Sequence, residues 1–341
     1  MTQLTEMIRQ QLFNDILEGR YKPGERIPTE LETAGRFDAS RVTVRRAYAA
    51  LEEAGIIVRR KRFGTIVSDS YTAATGPIRT VAALMPLGDP FSRDFLETLC
   101  REAADQDAMA VVEPGARNGL ELNRAALRLA ANGIRDLVVW GLDRQLDAGL
   151  FARLRVLGVN LVFFDRILPG PFADYVGLDN RDAIETLLNA AVADGFSEFV
   201  FIGTAGLDVD SNRERCHYFT EACIRRGFRH DFLELPWSEI GHPGIRPECT
   251  AFFSGRPPAP CAAICVNDSV ALAAVTGAPG NCRFYSVDGT PEALAAGITG
   301  YTQPMRKMAE TCFAALNSQR RAGRKWHARE YRLKGELRRP C

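Results

Sequence analysis

Two neighbouring segments near the amino terminus restrict the local fold of this chain more than any other part of its sequence. Residues 23–31 read PGERIPTEL, and residues 40–47 read SRVTVRRA. Proline and glycine interrupt regular structure, whereas Thr29 and Ser40 are residue types that begin helices. The two segments therefore predict a short helix, a turn and a second helix with a basic first turn. A helix of this kind fits the major groove of duplex DNA.

The flanking residues predict a small domain around these two helices. Apolar residues recur at helical spacing between residues 4 and 17, which predicts an earlier helix with one apolar face. Thr29 and Glu32 have the spacing of a capping box, and the helix that Ser40 begins should extend to about Ala54. Strands are predicted at residues 56–59 and 65–67, on either side of a basic turn. The side chains of the later helix that should face the core are Val44, Ala47, Tyr48 and Leu51.

The basic charge of the chain is concentrated in this domain. Residues 41–62 contain seven lysines and arginines and two acidic residues, whereas the whole chain has a net charge of only +1. A basic patch on an otherwise neutral protein indicates contact with phosphate groups at one end of the molecule.

Residues 1–68 resemble the GntR family of winged-helix transcription regulators. The resemblance rests on the order and spacing of PGERIPTEL, SRVTVRRA, LEEAGII and the RFGT of the predicted turn. Leu31 stands where many members carry a DNA-contacting arginine, and Arg62 replaces the first glycine of the wing. The resemblance implies a winged helix that binds operator DNA, with Arg62 adding a cation to the wing.

The resemblance and the side-chain chemistry together give a set of candidate DNA contacts. Arg41 and Arg45 can each form a bidentate contact with guanine, worth about 1–3 kcal/mol of discrimination. Ser40 and Thr43 suit phosphate oxygens, which position a protein without specifying sequence. The alternative is a merely solvated basic helix face, but the agreement of caps, turn and wing favours DNA contact. The candidates are Thr29, Ser40, Arg41, Thr43, Arg45, Arg46, Lys61, Arg62 and Gly64.

A different organisation follows this domain. Residues 69–77 are small and polar and end in Gly-Pro, which predicts a linker between a DNA-binding domain at 1–68 and a second domain at 78–341. From residue 78 onward, short apolar runs alternate with amphipathic segments, which is the pattern of a doubly wound parallel α/β sheet. The repeats are too many for one sheet, so we expect two lobes with a ligand cleft between them. The predicted strands are 81–85, 110–113, 137–140, 160–165, 199–202, 262–266 and 284–287.

Polar and aromatic side chains follow several of these predicted strands. Carboxylate, amide and guanidinium groups can satisfy the hydroxyls of a sugar, and aromatic rings can cover its apolar C–H faces. Three aspartates oppose two arginines, so no excess of positive charge remains for a phosphate, and a neutral sugar is favoured. Each residue taken singly could instead cap a helix or pack in the core. The candidates are Asp89, Phe91, Trp140, Asp165, Arg166, Arg215, Trp237, Asn267, Asp288 and Gln303.

Residues 78–341 resemble the LacI/GalR effector domain and its relatives, the periplasmic sugar-binding proteins. The resemblance rests on GDPF at 88–91, DR at 165–166, DYVGLDN at 174–180, SNRER at 211–215, VND at 266–268, VDGTP at 287–291 and QP at 303–304. It implies that these candidates line an inter-lobe cleft, except Trp140, which is chosen for its place at a strand end. Many members carry an aspartate where Gly289 stands, so the local support of Asp288 is expected to differ.

The two resemblances together imply a transcription repressor similar to arabinose-type repressors. We expect a homodimer, paired through the second domain, whose affinity for operator DNA changes when a neutral sugar binds. The alternative is a sugar-metabolising enzyme or kinase with an appended DNA-binding head. The sequence has neither a complete phosphate-binding loop nor a GxSxG motif, and its four histidines lack ligand spacing. We therefore expect no catalysis, no cofactor and no metal.

The cysteines and the hydropathy bear on the compartment. Nine cysteines are scattered without a CxxC pair, and no histidine or second pair near Cys261 and Cys265 completes a metal site, so reduced thiols are expected. No apolar run has the length of a membrane span, and residues 1–20 are too charged for a signal peptide. We expect a cytoplasmic protein without a membrane partner.

Overall fold

The structure is a computed structural model that describes residues 3–68, 76–88, 90–113, 118–141, 145–168, 170–207, 209–241, 245–256 and 259–340. It divides into two compact units. Unit 1 comprises Met1–Val176 and Ala309–Tyr331, and unit 2 comprises Gly177–Met308 and Arg332–Cys341. Of the predicted linker, residues 69–75 lie outside the described part. Its last two residues, Gly76 and Pro77, accept hydrogen bonds from Arg320 through their carbonyl oxygens, at 3.1 and 3.2 Å.

Residues 3–68, called the head below, form the expected winged helix. The elements are α1 (Gln3–Leu17), α2 (Glu30–Arg36), α3 (Arg41–Glu53), β1 (Ile57–Arg60) and β2 (Gly64–Val67). The strands pair in antiparallel fashion with Arg60 opposite Gly64. The apolar face predicted for α3 is confirmed, because its four side chains are fully buried.

Polar side chains fix the three helices of the head relative to one another. Asp15 of α1 is buried, and its carboxylate pairs with Arg36 of α2 at 3.0 Å and with Arg20 at 3.2 Å. The hydroxyl of Tyr48 on α3 donates to the carbonyl oxygen of Pro28 and shares a hydrogen bond of 2.8 Å with Thr33. Burial raises the pKa of Tyr48 to about 12, so this hydroxyl remains a donor at physiological pH.

The rest of unit 1 is built on a sheet of six described strands in the order β13-β7-β6-β5-β3-β4. Strands β3 to β7 are parallel to one another, as predicted. The strands are β3 (Thr80–Leu84), β4 (Met109–Glu113), β5 (Asp136–Val139), β6 (Asn160–Phe164), β7 (Asp174–Leu178) and β13 (Glu330–Leu333). The helices between them are α4 (Pro90–Asp105), α5 (Gly119–Ala131) and α6 (Ala148–Val156).

The head shares a hydrophobic core with this sheet. One cluster of buried apolar side chains extends from Leu12 and Leu17 of α1 to Leu129 of α5 and Phe151 of α6. Two arginines close the edges of the contact. Arg9 donates to the carbonyl oxygen of Ala131 at 3.1 Å, and Arg153 donates to that of Leu17 at 2.7 Å. The head is therefore packed against α5 and α6.

Unit 2 contains a second sheet of six described strands, in the order β14-β12-β11-β10-β8-β9. All neighbouring strands are parallel except β12 and β14. The strands are β8 (Glu198–Ala205), β9 (Arg229–Pro236), β10 (Cys261–Cys265), β11 (Cys282–Asp288), β12 (Thr299–Thr302) and β14 (Glu336–Arg338). The helices are α7 (Asn180–Ala193), α8 (Asp210–Arg226), α9 (Ile245–Ser254), α10 (Asp268–Val275) and α11 (Pro291–Ala295), and α12 (Met305–Ala322) continues into unit 1.

The doubly wound α/β class is confirmed, and each of the seven predicted strands coincides with a strand of the structure. Strands β7, β9, β12, β13 and β14 were not predicted. β9 is rich in polar residues, β12, β13 and β14 have only three or four residues each, and β9 and β14 lie at the two edges of their sheet. Among the helices of the described residues, none combines the length and apolarity that crossing a bilayer requires.

Candidate functional sites

The caps of α2 and α3 position the basic face of the head. At the start of α2, the hydroxyl oxygen of Thr29 accepts from the amide of Glu32 at 3.2 Å. The Glu32 carboxylate accepts from the amide of Thr29 at 2.7 Å, which lowers the pKa of Glu32. At the start of α3, the hydroxyl of Ser40 accepts from the amide of Thr43 at 3.1 Å. The predicted capping box and the predicted Ser40 cap are therefore both confirmed.

The basic face itself comprises Arg41, Arg45 and Arg46, which are all exposed at the first turns of α3. Neither Arg41 nor Arg46 forms an ion pair with a residue in the described part of the chain. Arg45 differs, since its Nε donates to Glu30 Oε2 at 3.2 Å. The other oxygen of Glu30 accepts from Arg59 at 3.1 Å. The Glu30 carboxylate thus holds Arg45 by one edge of its guanidinium.

Glu30 was not among the residues predicted from the sequence. It lies 15 residues before Arg45 and 29 before Arg59, so no periodicity brings the three together. Only the crossing of α2 and α3 and the position of β1 make them neighbours.

The wing between β1 and β2 carries two further exposed cations. Lys61 and Arg62 form no ion pair with any described residue. Arg62 has a φ of 69°, in the left-handed region that glycine occupies at little cost. Arg62 therefore keeps a backbone conformation that costs an L-residue about 1–2 kcal/mol. Phe63 lies at the tip, and the guanidinium of Arg26 is 5.3 Å from its ring centroid.

In unit 1, four of the candidate ligand-binding residues lie together, while Asp89 lies outside the described residues. The Phe91 ring lies 5.6 Å from that of Trp140. The indole N–H of Trp140 donates to Asp165 Oδ2 at 3.0 Å, and the Arg166 guanidinium lies over the indole at 4.5 Å. Asp165 has a φ of 59°, and its amide nitrogen donates to the carbonyl oxygen of Val176 at 2.9 Å. These contacts orient a carboxylate and a guanidinium at the carboxyl end of β6.

The faces of Trp140 are covered in this structure. The residue is 6% exposed, and Phe91 and Arg166 both pack against its ring. Trp140 therefore positions Asp165 and Arg166, and its own contact with a sugar stays a prediction.

In unit 2, Asp288 and Gln303 form the second group. Gln303 Nε2 donates to Asp288 Oδ1 at 2.8 Å. Gln303 is 5% exposed, and its Oε1 has no hydrogen-bond partner among the described residues. The buried hydroxyl oxygen of neighbouring Thr302 also lacks a partner there. Buried polar atoms are nearly always hydrogen-bonded, so these two atoms require a partner from outside the described chain. Thr302 was not among the predicted residues.

Two further candidates in unit 2 have structural partners. Arg215 is buried, and it donates to Asn180 Oδ1 at 2.8 Å and to the carbonyl oxygen of Val266 at 2.7 Å. Asn267 Oδ1 accepts from the amide of Val270 at 2.9 Å, which caps α10. Arg215 therefore ties α8 to the end of β10, where Asn267 lies.

Trp237 stands apart from the other candidates in unit 2. It lies in a single 3₁₀ turn after β9, and it is 38% exposed. Its side chain makes no ring contact or hydrogen bond with a described residue. The structure therefore does not bring Trp237 together with Asp288 and Gln303.

Gly289 departs from the family pattern for a steric reason. Its φ is 64°, and a Cβ at this position would overlap the hydroxyl oxygen of Thr302 and lie 3.2 Å from the Thr302 backbone nitrogen. Gly300 of β12 is in turn so close that a Cβ there would overlap Gly289 Cα. Two glycines thus allow the turn after Asp288 to pack on β12.

The two parts of the chain are similar to different groups of known proteins. Residues 4–67 match the family model "Bacterial regulatory proteins, gntR family". The arabinose metabolism transcriptional repressor of Geobacillus stearothermophilus is 43% identical over 61 residues, which are 18% of this chain and 17% of the relative. The chain spans no more than about half the length of the curated relatives that it matches. The similarity to these relatives is thus confined to the amino-terminal part.

Two solved structures resemble the larger part of the chain. A periplasmic solute-binding protein from Actinobacillus succinogenes 130z, with bound D-allose, has a TM-score of 0.66 at 17% identity and covers 77% of this chain and 98% of its own. A lac repressor dimer bound to operator and the anti-inducer ONPF has a TM-score of 0.64 at 18% identity, covering 78% of this chain and 94% of its own. The predicted fold, a GntR-type helix-turn-helix followed by a LacI-like periplasmic-binding-protein fold, is confirmed.

Proposed function

We propose that the protein is a transcription repressor that binds operator DNA through the head and responds to a neutral sugar bound by the α/β part. The observation that carries the proposal is the basic face of α3. Its arginines are exposed, and Arg41 and Arg46 have no acidic partner in the described chain, while the opposite face of the helix is fully buried. A cationic helix face held at the surface of a winged helix suits a major groove.

The two kinds of cation on the head have different roles in this proposal. Arg41 and Arg45 read bases, because a guanidinium can form two parallel hydrogen bonds with guanine. The Glu30 contact to Arg45 Nε leaves the terminal nitrogens of that guanidinium available. Lys61 and Arg62 of the wing neutralise phosphates or enter the minor groove, and they add affinity without sequence preference.

The effector is a neutral sugar bound at the carboxyl ends of the strands. Asp165 and Arg166 in unit 1 supply an acceptor and a donor that their neighbours hold in place. Asp288 and Gln303 in unit 2 supply acceptors, and the buried Gln303 Oε1 suits a sugar hydroxyl as its missing donor. In neither unit do these side chains carry an excess of positive charge, so a phosphate ester is disfavoured and an uncharged aldose fits.

Repression and induction follow from one coupling free energy. A dimer paired through the α/β parts places two heads on the half-sites of a pseudo-palindromic operator. A sugar that binds more tightly to one arrangement of the α/β part changes the affinity of the protein for operator. Operator binding then changes the affinity for that sugar by the same factor.

Calorimetry with a panel of neutral aldoses, run in parallel with operator binding, tests the proposal. The operator is first selected from genomic fragments, and sugar phosphates serve as the charged comparison. Gln303→Leu should bind operator normally but lose its response to sugar, whereas Arg41→Ala should bind sugar normally and lose operator selectivity. Tight sugar binding that leaves operator affinity unchanged would contradict the repressor mechanism.

A further inference from the structure

Two thiols lie side by side at the amino-terminal ends of the central strands of unit 2. Cys261 is the first residue of β10 and Cys282 the first of β11, and the two are direct partners in the parallel ladder. A hydrogen bond joins their Sγ atoms at 3.3 Å. Neighbouring strands are about 4.8 Å apart, within the Cα separation that a disulfide of about 2.0 Å requires. An approach of little more than an ångström would therefore join the two sulfurs.

The surroundings of the pair favour reaction at sulfur. Cys282 is half-buried and follows the exposed residues Gly280 and Asn281, so its sulfur can be reached from solvent, while the neighbouring Cys261 is buried. The hydrogen bond with Cys282, aided by the Arg256 guanidinium, holds the pKa of Cys261 below its usual range. A thiolate is the reactive form of cysteine. Cys261 is the more easily ionised sulfur of the pair, because the same hydrogen bond and burial raise the pKa of Cys282.

The other described cysteines lack this arrangement. No other pair of described cysteines has sulfurs in hydrogen-bond contact. Burial raises the pKa of Cys223 and Cys249 to about 11, which suppresses their thiolates. Cys100 is exposed, but desolvation raises its pKa as well.

We propose that Cys261 and Cys282 form an oxidation-sensitive dithiol that hydroperoxides convert to an intramolecular disulfide. One sulfur of the pair attacks the hydroperoxide, the O–O bond breaks, and an alcohol or water leaves with a proton, which yields a sulfenic acid. The second thiol attacks that sulfur, the S–O bond breaks, and water leaves. The two thiols together lose two protons and two electrons, and the hydroperoxide accepts them. The disulfide would link the amino-terminal ends of β10 and β11. Asn267 and Asp288 lie at the carboxyl ends of these two strands.

Peptide mapping of the folded full-length chain after treatment with hydrogen peroxide tests this reaction. Remaining thiols are alkylated under denaturing conditions, and the chain is cleaved on the amino side of aspartate. Cleavage before Asp231, Asp268 and Asp288 places Cys261 and Cys282 on separate fragments, 231–267 and 268–287. We expect these fragments to remain joined until a reductant is added, with loss of the alkylated Cys282 signal and with tandem mass spectra placing the link at Cys261.

Two variants sharpen the test. Cys282→Ser should abolish the joined fragments and leave Cys261 as a sulfenic acid that dimedone traps, whereas Cys100→Ser, which removes an exposed thiol, should leave the joined fragments unchanged. The proposal is overturned if Cys282 stays fully alkylatable at a peroxide concentration that oxidises Cys100. It is equally overturned if the link maps to Cys249 or Cys265. The wild-type map decides these points even if Cys282→Ser does not fold.

Discussion

Gly289→Ala is the substitution for which the structure gives the sharpest energetic expectation. The residue has a φ of 64°, and placing an L-residue in this region costs about 1–2 kcal/mol. The added Cβ would also overlap the hydroxyl oxygen of Thr302 and lie 3.2 Å from the Thr302 Cα. The hydroxyl can rotate away, but the backbone of β12 must move, and overpacking of this kind costs about 1–3 kcal/mol. We expect a total loss of about 2–5 kcal/mol.

Two other glycines of unit 2 separate the contributions. Gly297 has a φ of 81° and no atom within 4 Å of the position of an added Cβ, so Gly297→Ala should incur only the conformational cost. At Gly300 the Cβ would overlap the Gly289 Cα, and neither backbone can rotate away. Gly300→Ala should therefore cost the most, about 3 kcal/mol or more. The expected order of destabilisation is Gly300→Ala, then Gly289→Ala, then Gly297→Ala.

Urea denaturation followed by circular dichroism measures these losses, and sugar titration of the folded variants adds a second measurement. Because Gly289 directly follows Asp288, a displaced turn should disturb the 2.8 Å hydrogen bond between Gln303 and Asp288 and weaken sugar binding. Gly297→Ala should leave sugar affinity unchanged. The steric explanation fails if Gly289→Ala is no more destabilising than Gly297→Ala, or if the two variants bind sugar equally well.

Three further predictions concern other parts of the chain. Arg41→Ala should relax sequence preference, whereas Lys61→Ala should weaken binding to every duplex and lower the salt slope by about one; equal changes in a salt titration would contradict this division. Gln319 is fully buried with four hydrogen bonds, so Gln319→Leu should cost about 3 kcal/mol or more in urea denaturation, while exposed Gln106→Leu stays within about 0.5 kcal/mol. The hydrogen bond from Arg339 lowers the pKa of Asp194, so its stabilisation is present above the unfolded-state pKa of about 3.9 and is lost as pH falls through the folded-state value. Asp194→Asn should therefore lower the urea midpoint at pH 7, and a deficit that persisted at about pH 2 would refute the assignment.

The features of the head that could be predicted are those that depend on residues close together in the sequence. The capping box at Thr29, the cap at Ser40 and the buried face of α3 depend on residues three or four positions apart, and the structure has all of them. The pairing of Glu30 with Arg45 depends on the crossing of two helices, so no spacing revealed it. The need for glycine at position 289 was missed for the same reason, because it comes from contact with β12, a strand that the sequence did not predict.

The candidate ligand residues show where strand-end chemistry is ambiguous. A polar side chain after a strand can cap the next helix or contact a ligand, and Asn267 caps α10 through the atom that could otherwise accept from a sugar. Gln303 is different, because its buried Oε1 has no described partner. The sequence could name both positions, but only the hydrogen-bond pattern distinguishes them. Gln303 is therefore the more informative residue to mutate.

The contact between the head and the rest of unit 1 bears on how a sugar could affect the grip on DNA. A head without a packed contact to the α/β part would change its orientation freely, and a change in the α/β part would alter little except the local concentration of the head. Here α1 shares a core with α5 and α6, and Arg9 and Arg153 fix its edges. A ligand shifts the equilibrium between two arrangements of a protein only by the difference in its affinity for them. Because α1 is packed against α5 and α6, a change of arrangement there also changes the position of the basic face. In the proposed repressor, the contact at α1 is thus the element through which sugar binding changes the affinity for operator.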